Sequence, residues 1–148
     1  MNQFVPKSKE HLDTCRAEIR QLAYAALPLF DHSITEGHRP ESEHAAHVAA
    51  GRSKVSWAKS KHSHIPSDAW HAVPYPVIWP ESKTDFEGKM KAYARFYFLA
   101  GIYKALAHEM GVEIRWGGDW DSDNDFFDQT FNDLSHYELV QSSQEAIA

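Results

Sequence analysis

The chain has 148 residues, of which 43% are hydrophobic and 13% aromatic, a composition typical of a folded domain and not of a disordered segment. The formal net charge of −6 at pH 7 excludes the globally basic surface that nucleic-acid binding requires. Cys15 is the single cysteine, so the sequence excludes both an intrachain disulfide and a cysteine-rich zinc site. Any metal would therefore be bound by histidine and carboxylate side chains.

The N-terminal part of the chain is predicted to form two helices and a short strand. A helix over residues 8–27, ended by Pro28, is predicted by apolar residues at steps of three and four, namely Leu12, Cys15, Ile19, Leu22 and Ala26. A short strand is expected at 33–35 and a turn at 37–40. Residues 41–50 favour a second helix.

The remainder of the chain is predicted to contain one long helix and several short strands. Residues 52–80 are expected to be loop-rich with short strands, because four prolines forbid a long helix there, Pro66, Pro74, Pro76 and Pro80. A helix is predicted over 85–110, with an apolar face formed by Phe86, Met90, Tyr93, Tyr97, Phe98, Ile102 and Leu106. Residues 112–116 and 136–140 alternate like strands. We predict a small α+β domain over residues 1–148, with a short antiparallel sheet flanked by helices.

Two short stretches carry the groups that could perform chemistry. His62, His64 and His71 lie within ten positions of one another, and Asp133 precedes His136 by three residues. A catalytic zinc site needs three protein ligands, an open position for water and a nearby base. In a strand, His136 shares a face with Glu138, and Asp133 then lies in the turn before it. These residues favour metal-assisted hydrolysis.

The same stretches resemble the zinc peptidases that include VanY-type D,D-carboxypeptidases and phage L-alanyl-D-glutamate endopeptidases. The first motif of this family, S-x-H followed by A-x-D, is similar to Ser60-Lys61-His62 and Ala69-Trp70-His71. The second motif, an acidic residue, two further residues and then H-x-E, is matched by residues 133–138. The likeness extends upstream to residues 35–39 and 51–55, and downstream to residues 115–120.

The resemblance implies a role for each matched residue. His62, His71 and His136 would bind zinc, and Asp133 would be the general base. Arg39 would contact the substrate or steady the oxyanion of the tetrahedral intermediate, and Ser60 would support the site from beside it. A competing interpretation makes Arg39 a surface residue, with an ion pair to Glu41 or Glu43.

Two positions of the zinc set depart from the family pattern. The family has aspartate where this chain has His71, and imidazole is a competent replacement as a zinc ligand. The compact form of the motif spans seven positions, as from His64 to His71, whereas nine separate His62 from His71. We expect His62 to be the first ligand because Ser60 completes the S-x-H pattern, with His64 as the competing choice.

The acidic segment 119–128 invites a calcium interpretation. Counted from Asp121, however, Phe126 stands where an EF-hand requires glycine, and Asn132 stands where it requires glutamate. The segment is therefore either a looser Ca²⁺ site or a solvated acidic loop, and it could act as a lid over the zinc.

The resemblance implies a monomeric phage endolysin that cleaves an amide in the peptide stem of bacterial peptidoglycan, with L-Ala–D-Glu as the preferred bond. A VanY-like D,D-carboxypeptidase is the nearer alternative. A non-catalytic metal-binding or wall-binding module, closed by His62, His64, His71 and His136, is the more distant one. The sequence lacks a secretion signal and any apolar stretch long enough to span a membrane. We expect a product made in the host cytoplasm that reaches the wall after the membrane is permeabilised.

Overall fold

The computed structural model of the protein describes residues 1–53 and 55–140. Lys54, which belongs to the motif match at 51–55, lies outside the described residues. The helices are α1 (Pro6–Asp13), α2 (Ala17–Ala26), α3 (Glu41–Ala49) and α4 (Phe86–Met110). The strands are β1 (His32–Glu36), β2 (Ala69–Pro74), β3 (Ile114–Trp116) and β4 (His136–Leu139), and short 3₁₀ turns occupy Trp57–Lys59, Lys61–Ser63 and Pro80–Ser82.

The strands form one antiparallel sheet in the order β1-β2-β4-β3. Its register places Glu36 of β1 opposite His71 of β2, and His71 opposite His136 of β4. Since side chains at paired positions point to the same side of a sheet, these three residues form a row across it. The row is the foundation of the candidate site.

The other face of the sheet is the hydrophobic core. Trp70 stacks on Tyr137, with ring centroids 5.2 Å apart, and Tyr103 of α4 packs against both rings. All three side chains are fully buried. Because residues of one strand alternate between faces, burying Trp70 and Tyr137 against α4 turns His71 and His136 to the opposite side.

The predicted helix over 8–27 is wrong in one respect, because the structure contains two helices there. The backbone of Thr14 accepts a hydrogen bond from the Ser67 amide (2.8 Å), and the Arg16 amide donates to the Ser67 carbonyl (3.0 Å). This pairing with a distant segment replaces the helical bonds that would have continued through Cys15. α1 therefore ends at Asp13, and α2 begins at Ala17.

The long helix forms as predicted, but only part of its predicted apolar face packs against the core, through the partly buried Tyr97, Ile102 and Leu106. The side chain of Asp85 caps the first turn by accepting from the Gly88 amide (2.9 Å), and Gly111 ends the helix in the left-handed conformation. The buried residues are Ala92, Phe96, Leu99, Ala100, Tyr103 and Ala107, whereas Phe86, Met90, Tyr93 and Phe98 are exposed. Helix α4 carries apolar residues on more than one side, so periodicity alone could not identify the side facing the sheet.

Within the described residues, no helix is both long enough and apolar enough to cross a membrane. The α+β architecture with an antiparallel sheet is as predicted.

Candidate metal centre and active site

Three histidine side chains from different elements converge at one point. His62 lies on the turn Lys61–Ser63, His71 lies in the middle of β2, and His136 is the first residue of β4. Nε2 of His62 lies 3.2 Å from Nδ1 of His136, and Nε2 of His71 lies 3.3 Å from the same atom. The three nitrogens lie within 4.8 Å of one another and could hold a metal ion.

The rings of His62 and His136 are oriented by acceptors on their outer nitrogens. His62 Nδ1 donates to the Gly37 carbonyl (2.7 Å), and His136 Nε2 donates to a carboxylate oxygen of Glu138 (2.8 Å). A neutral imidazole that donates from one nitrogen has its lone pair on the other. Both lone pairs therefore point into the cluster, which is the arrangement that metal-binding histidines adopt.

The cluster fits a tetrahedral ion. Zinc–imidazole bonds of about 2.0–2.1 Å at tetrahedral angles separate neighbouring ligand nitrogens by about 3.3–3.4 Å. The separations of Nε2 of His62 and of His71 from Nδ1 of His136, 3.2 and 3.3 Å, agree with this value. Three imidazoles also leave a fourth position open for water or substrate, as catalytic zinc sites require.

Burial keeps His62 and His71 in their metal-binding protonation state. Desolvation lowers the pKa of both His62 and His71 well below the ordinary value of 6.5, and the neighbouring histidines lower each pKa further. Since a histidine binds metal only when it is neutral, these two side chains remain competent ligands at mildly acidic pH.

The same shifts predict an acid-sensitive metal-free protein. Below pH 6.5 the unfolded chain protonates His62 and His71 while the folded chain does not, so the free energy of unfolding should fall as pH falls. Each histidine contributes at most about 1.4 kcal/mol per pH unit. Urea unfolding in EDTA at pH 7.5, 6.5 and 5.5 should show a smaller pH slope for His71→Gln than for the unchanged protein. Equal slopes would contradict the prediction.

His64 lies outside the cluster. Its Nδ1 is paired with the carboxylate of Asp68, and its side chain is 44% exposed. Of the two histidines that compete for the first ligand position, the structure brings His62 to His71 and His136. The four-histidine closed site considered as an alternative is not formed.

Asp133 lies beside the cluster and is held on several sides. One carboxylate oxygen is 3.8 Å from His71 Nε2, and the other accepts a hydrogen bond from the Ser135 hydroxyl (3.1 Å). The Asp133 amide donates to the Gly117 carbonyl (2.9 Å), and its own carbonyl accepts from the His136 amide (3.1 Å). A carboxylate at this position can exchange a proton with a water molecule at the cluster.

Gly117 is needed for this arrangement because the backbones approach so closely. A Cβ atom at residue 117 would lie 2.0 Å from the Asp133 carbonyl oxygen, which is a collision with backbone. Gly117 is predicted only as part of the matched residues 115–120, and neither its role nor that of Ser135 is predicted from the sequence. The adjacent pair Gly117-Gly118 was the available signal, since glycine marks close backbone approach.

Comparison with known proteins decides the family. A model of the family described as phage L-alanyl-D-glutamate peptidase matches residues 1–140. The L-alanyl-D-glutamate peptidase of Escherichia phage T5 is 29% identical over 146 residues, covering 93% of this chain and 98% of that protein. The chain belongs to the phage L-alanyl-D-glutamate peptidase family. The predicted family and the prediction of a peptidase are thereby confirmed.

The fold has a solved counterpart. The crystal structure of the Serratia marcescens L-Ala D-Glu endopeptidase ChiX superposes with a TM-score of 0.67, covering 99% of this chain and 96% of that one, at 22% sequence identity. This likeness confirms the predicted α+β peptidase fold.

Arg39 is buried in this family member, not on the surface. It is 3% exposed, its guanidinium pairs with Glu36, and Nη1 donates to Nδ1 of His44 (2.9 Å). The alternative of a surface ion pair with Glu41 or Glu43 is therefore wrong. Glu36 lies 3.7 Å from His62 Nδ1, so Arg39 neutralises a carboxylate directly behind the cluster. Burial raises the pKa of Glu36, although Arg39 acts against that rise.

Ser60 lies beneath the cluster. It is 5% exposed, and its hydroxyl accepts from the His62 amide (3.3 Å), which caps the turn that carries His62. The roles of Glu36 and Gly37, which contact Arg39 and His62, are not predicted from the sequence. Both lie in the matched stretch 35–39, and no pattern in the sequence marks them as partners.

The acidic segment holds a second group that could bind a cation, formed by Asp119, Asp121 and Asp123. One carboxylate oxygen of Asp119 is buried and has no hydrogen-bond partner among the described residues. A hydrogen bond to Asp123 and the surrounding carboxylates raise the pKa of Asp128 to about 6. The group begins at Asp119, two residues before Asp121, which is the first position of the EF-hand pattern considered above.

Proposed function

We propose that this protein is a zinc-dependent phage endolysin that hydrolyses the L-Ala–D-Glu bond in the peptide stem of bacterial peptidoglycan. The single observation that carries the proposal is the convergence of three imidazole nitrogens beside Asp133. In this proposal His62, His71 and His136 hold the zinc. Membership of the L-alanyl-D-glutamate peptidase family supports the choice of bond.

The residues around the cluster can perform amide hydrolysis. Zinc, when bound, supplies a Lewis acid for the scissile carbonyl and a lowered pKa for the attacking water. Asp133, positioned by Ser135 and Gly117, accepts a proton from that water and delivers it to the departing amine. His62 and His136 keep their orientation through Gly37 and Glu138 during these transfers.

Arg39 has two roles in the proposal. Its side chain pairs with Glu36, and its backbone amide donates a hydrogen bond to the His62 carbonyl (2.8 Å), so both contacts fix the backbone around the proposed first ligand. Arg39 also lines a cavity next to His136 and Asp133, and we propose that the guanidinium, while paired with Glu36 and His44, contacts substrate or steadies an oxyanion there. Ser60 lines the same cavity and, in our proposal, supports substrate binding there.

The activity is tested on purified peptidoglycan. We expect digestion to release fragments with a new N-terminal D-glutamate, detected by mass spectrometry. A chelator should abolish this release, and added zinc should restore it. Release of free D-alanine instead would support the D,D-carboxypeptidase alternative. Tightly bound zinc without any cleavage would support a non-catalytic metal-binding protein, with a three-histidine site in place of the four-histidine one.

We also propose that Asp119, Asp121 and Asp123 bind Ca²⁺, because oxygen ligands and an unsatisfied buried carboxylate oxygen suit a hard cation. Calorimetric titration should give a Kd on the order of 10⁻⁴ M, a value typical of extracellular calcium modules. Asp121→Asn combined with Asp123→Asn should remove the binding heat, and Asp13→Asn should not. Unchanged heats in the double variant would leave the segment a solvated acidic loop.

The proposal places the protein at the wall as a monomer, after synthesis in the host cytoplasm and permeabilisation of the membrane. Lysis of outer-membrane-permeabilised cells, but not of intact cells, by added protein would support this order of events.

A further inference from the structure

Two cavities of different character meet at the histidine cluster. The larger, of about 1170 Å³, reaches His71, and the smaller, of about 410 Å³, reaches His136. Arg52, Phe131 and Asp133 line both. A substrate bound across the cluster would therefore place its two halves in different surroundings.

The smaller cavity is strongly basic in a chain whose net charge is −6. Two acidic residues line it, Asp133 and Glu138, against five basic ones, Arg39, Arg52, Lys59, Lys61 and Arg115. Glu138 already interacts with Lys61 (3.6 Å) and Arg115 (3.2 Å). Arg52 and Lys59 are exposed, and neither forms an ion pair with any residue that the structure describes. Nε of Arg52 donates to Nδ1 of His47 (3.4 Å), a neutral contact that leaves its charge without a carboxylate partner, so both side chains can bind an incoming anion.

The larger cavity is lined by six aromatic side chains, Trp79, Tyr93, Tyr97, Phe126, Phe127 and Phe131. Its charged residues are mainly acidic, with Glu36, Glu81 and Asp133 against Arg52. A carboxylate placed there would lose hydration beside three like charges, so this cavity suits an uncharged group better than the smaller cavity does. The two cavities together form a groove across the histidine cluster, and the difference in charge between them distinguishes one end of this groove from the other.

The substrate of the proposed function has a matching asymmetry. On the amino side of the scissile bond, L-alanine is joined to the glycan through an uncharged amide. On the carboxyl side, D-glutamate continues the stem through its γ-carboxyl group and keeps a free α-carboxylate. Carboxylates are recognised by arginine and lysine through charge-assisted hydrogen bonds.

We propose that the basic cavity binds the free α-carboxylate of the D-glutamate residue, with Arg52 and Lys59 as the principal contacts. This inference rests on the proposed function and adds the orientation of the substrate to it. The D-glutamate half lies over the basic cavity beside His136, and the alanine half lies toward the aromatic cavity beside His71. Amidation of the α-carboxylate then lowers the rate of cleavage.

The test compares two peptides that differ in one group. The first is N-acetyl-L-alanyl-γ-D-glutamyl-L-lysine amide, whose single carboxylate is the one in question, and the second carries a carboxamide at that position. The zinc-loaded protein should cleave the carboxylate peptide with a kcat/KM about 10-fold or more above that of the carboxamide peptide, since hydrogen bonds to charged groups are the stronger ones. Arg52→Gln combined with Lys59→Gln should bring the ratio close to one.

Lys9→Gln, which removes an exposed lysine of α1, is the matched control and should leave the ratio unchanged. Equal cleavage of the two peptides by the unchanged protein would overturn the inference. An undiminished preference of the double variant for the carboxylate peptide would also overturn it. Failure to cleave either peptide at the L-Ala–D-Glu bond would overturn the proposed function itself.

Discussion

Replacement of His71 by alanine is expected to abolish zinc retention and, with it, hydrolysis. His71 Nε2 lies 3.3 Å from His136 Nδ1, and the variant would leave two imidazoles at a site that needs three protein ligands. Zinc content after dialysis, measured by atomic absorption, should fall from one equivalent to near zero. His108→Ala, at an exposed position of α4, should keep its zinc.

Replacement of His71 by aspartate should retain zinc and activity, because the family pattern has aspartate at this position. The two ligand sets differ in charge. Three neutral imidazoles leave the ion its full +2, whereas two imidazoles and a carboxylate reduce the total to +1. The bound water should therefore ionise at higher pH in His71→Asp, and the acidic limb of the pH–rate profile should shift to higher pH. Stoichiometric zinc in His71→Ala would contradict the ligand role.

Replacement of Asp133 by asparagine is expected to lower kcat by about 10²–10⁴-fold, the usual contribution of a general base. The amide has nearly the shape of the carboxylate and can still accept from the Ser135 hydroxyl, but it cannot take a proton from water. Zinc content should stay at one equivalent, because Asp133 lies beside the three converging histidines and is not one of the proposed ligands.

Two measurements separate loss of the base from loss of structure in this variant. The urea midpoint of Asp133→Asn should remain close to that of Asp13→Asn, an exposed control in α1. KM should change much less than kcat, since the proton transfer occurs after substrate binds. Undiminished kcat in a zinc-loaded variant would exclude Asp133 as the base.

Local patterns predicted the parts of the fold that depend on neighbouring residues. The long helix, its stop at Gly111 and the strand carrying His136 follow from periodicity and from the conformational freedom of glycine. The break at Cys15 does not, because it depends on backbone bonds to Ser67, which lies far away in sequence. The buried side of α4 is likewise chosen by the sheet on which it packs.

The same division applies to the candidate site. Motif order identified His62, His71, His136 and Asp133, and the structure brings all four side chains together. Glu36 was not identified, because its place next to His71 depends on the pairing of β1 with β2. Single residues can be found by their chemistry, whereas the partners that orient them become visible only when the strands are aligned.

The close contact between Gly117 and Asp133 fixes both ends of the acidic segment. The amide of Asp133 bonds to the carbonyl of Gly117, and the amide of Gly117 bonds to the carbonyl of His136, so the intervening residues leave the sheet and return to the same place. The entropy of closing such a loop grows only slowly with its length. Residues inserted near its middle would therefore change the groove wall at small cost while the proposed base keeps its position. The two fixed ends therefore hold Asp133 in place whatever the sequence of the loop between them. The loop that lines the groove, and with it the choice of substrate, can change without moving the proposed base.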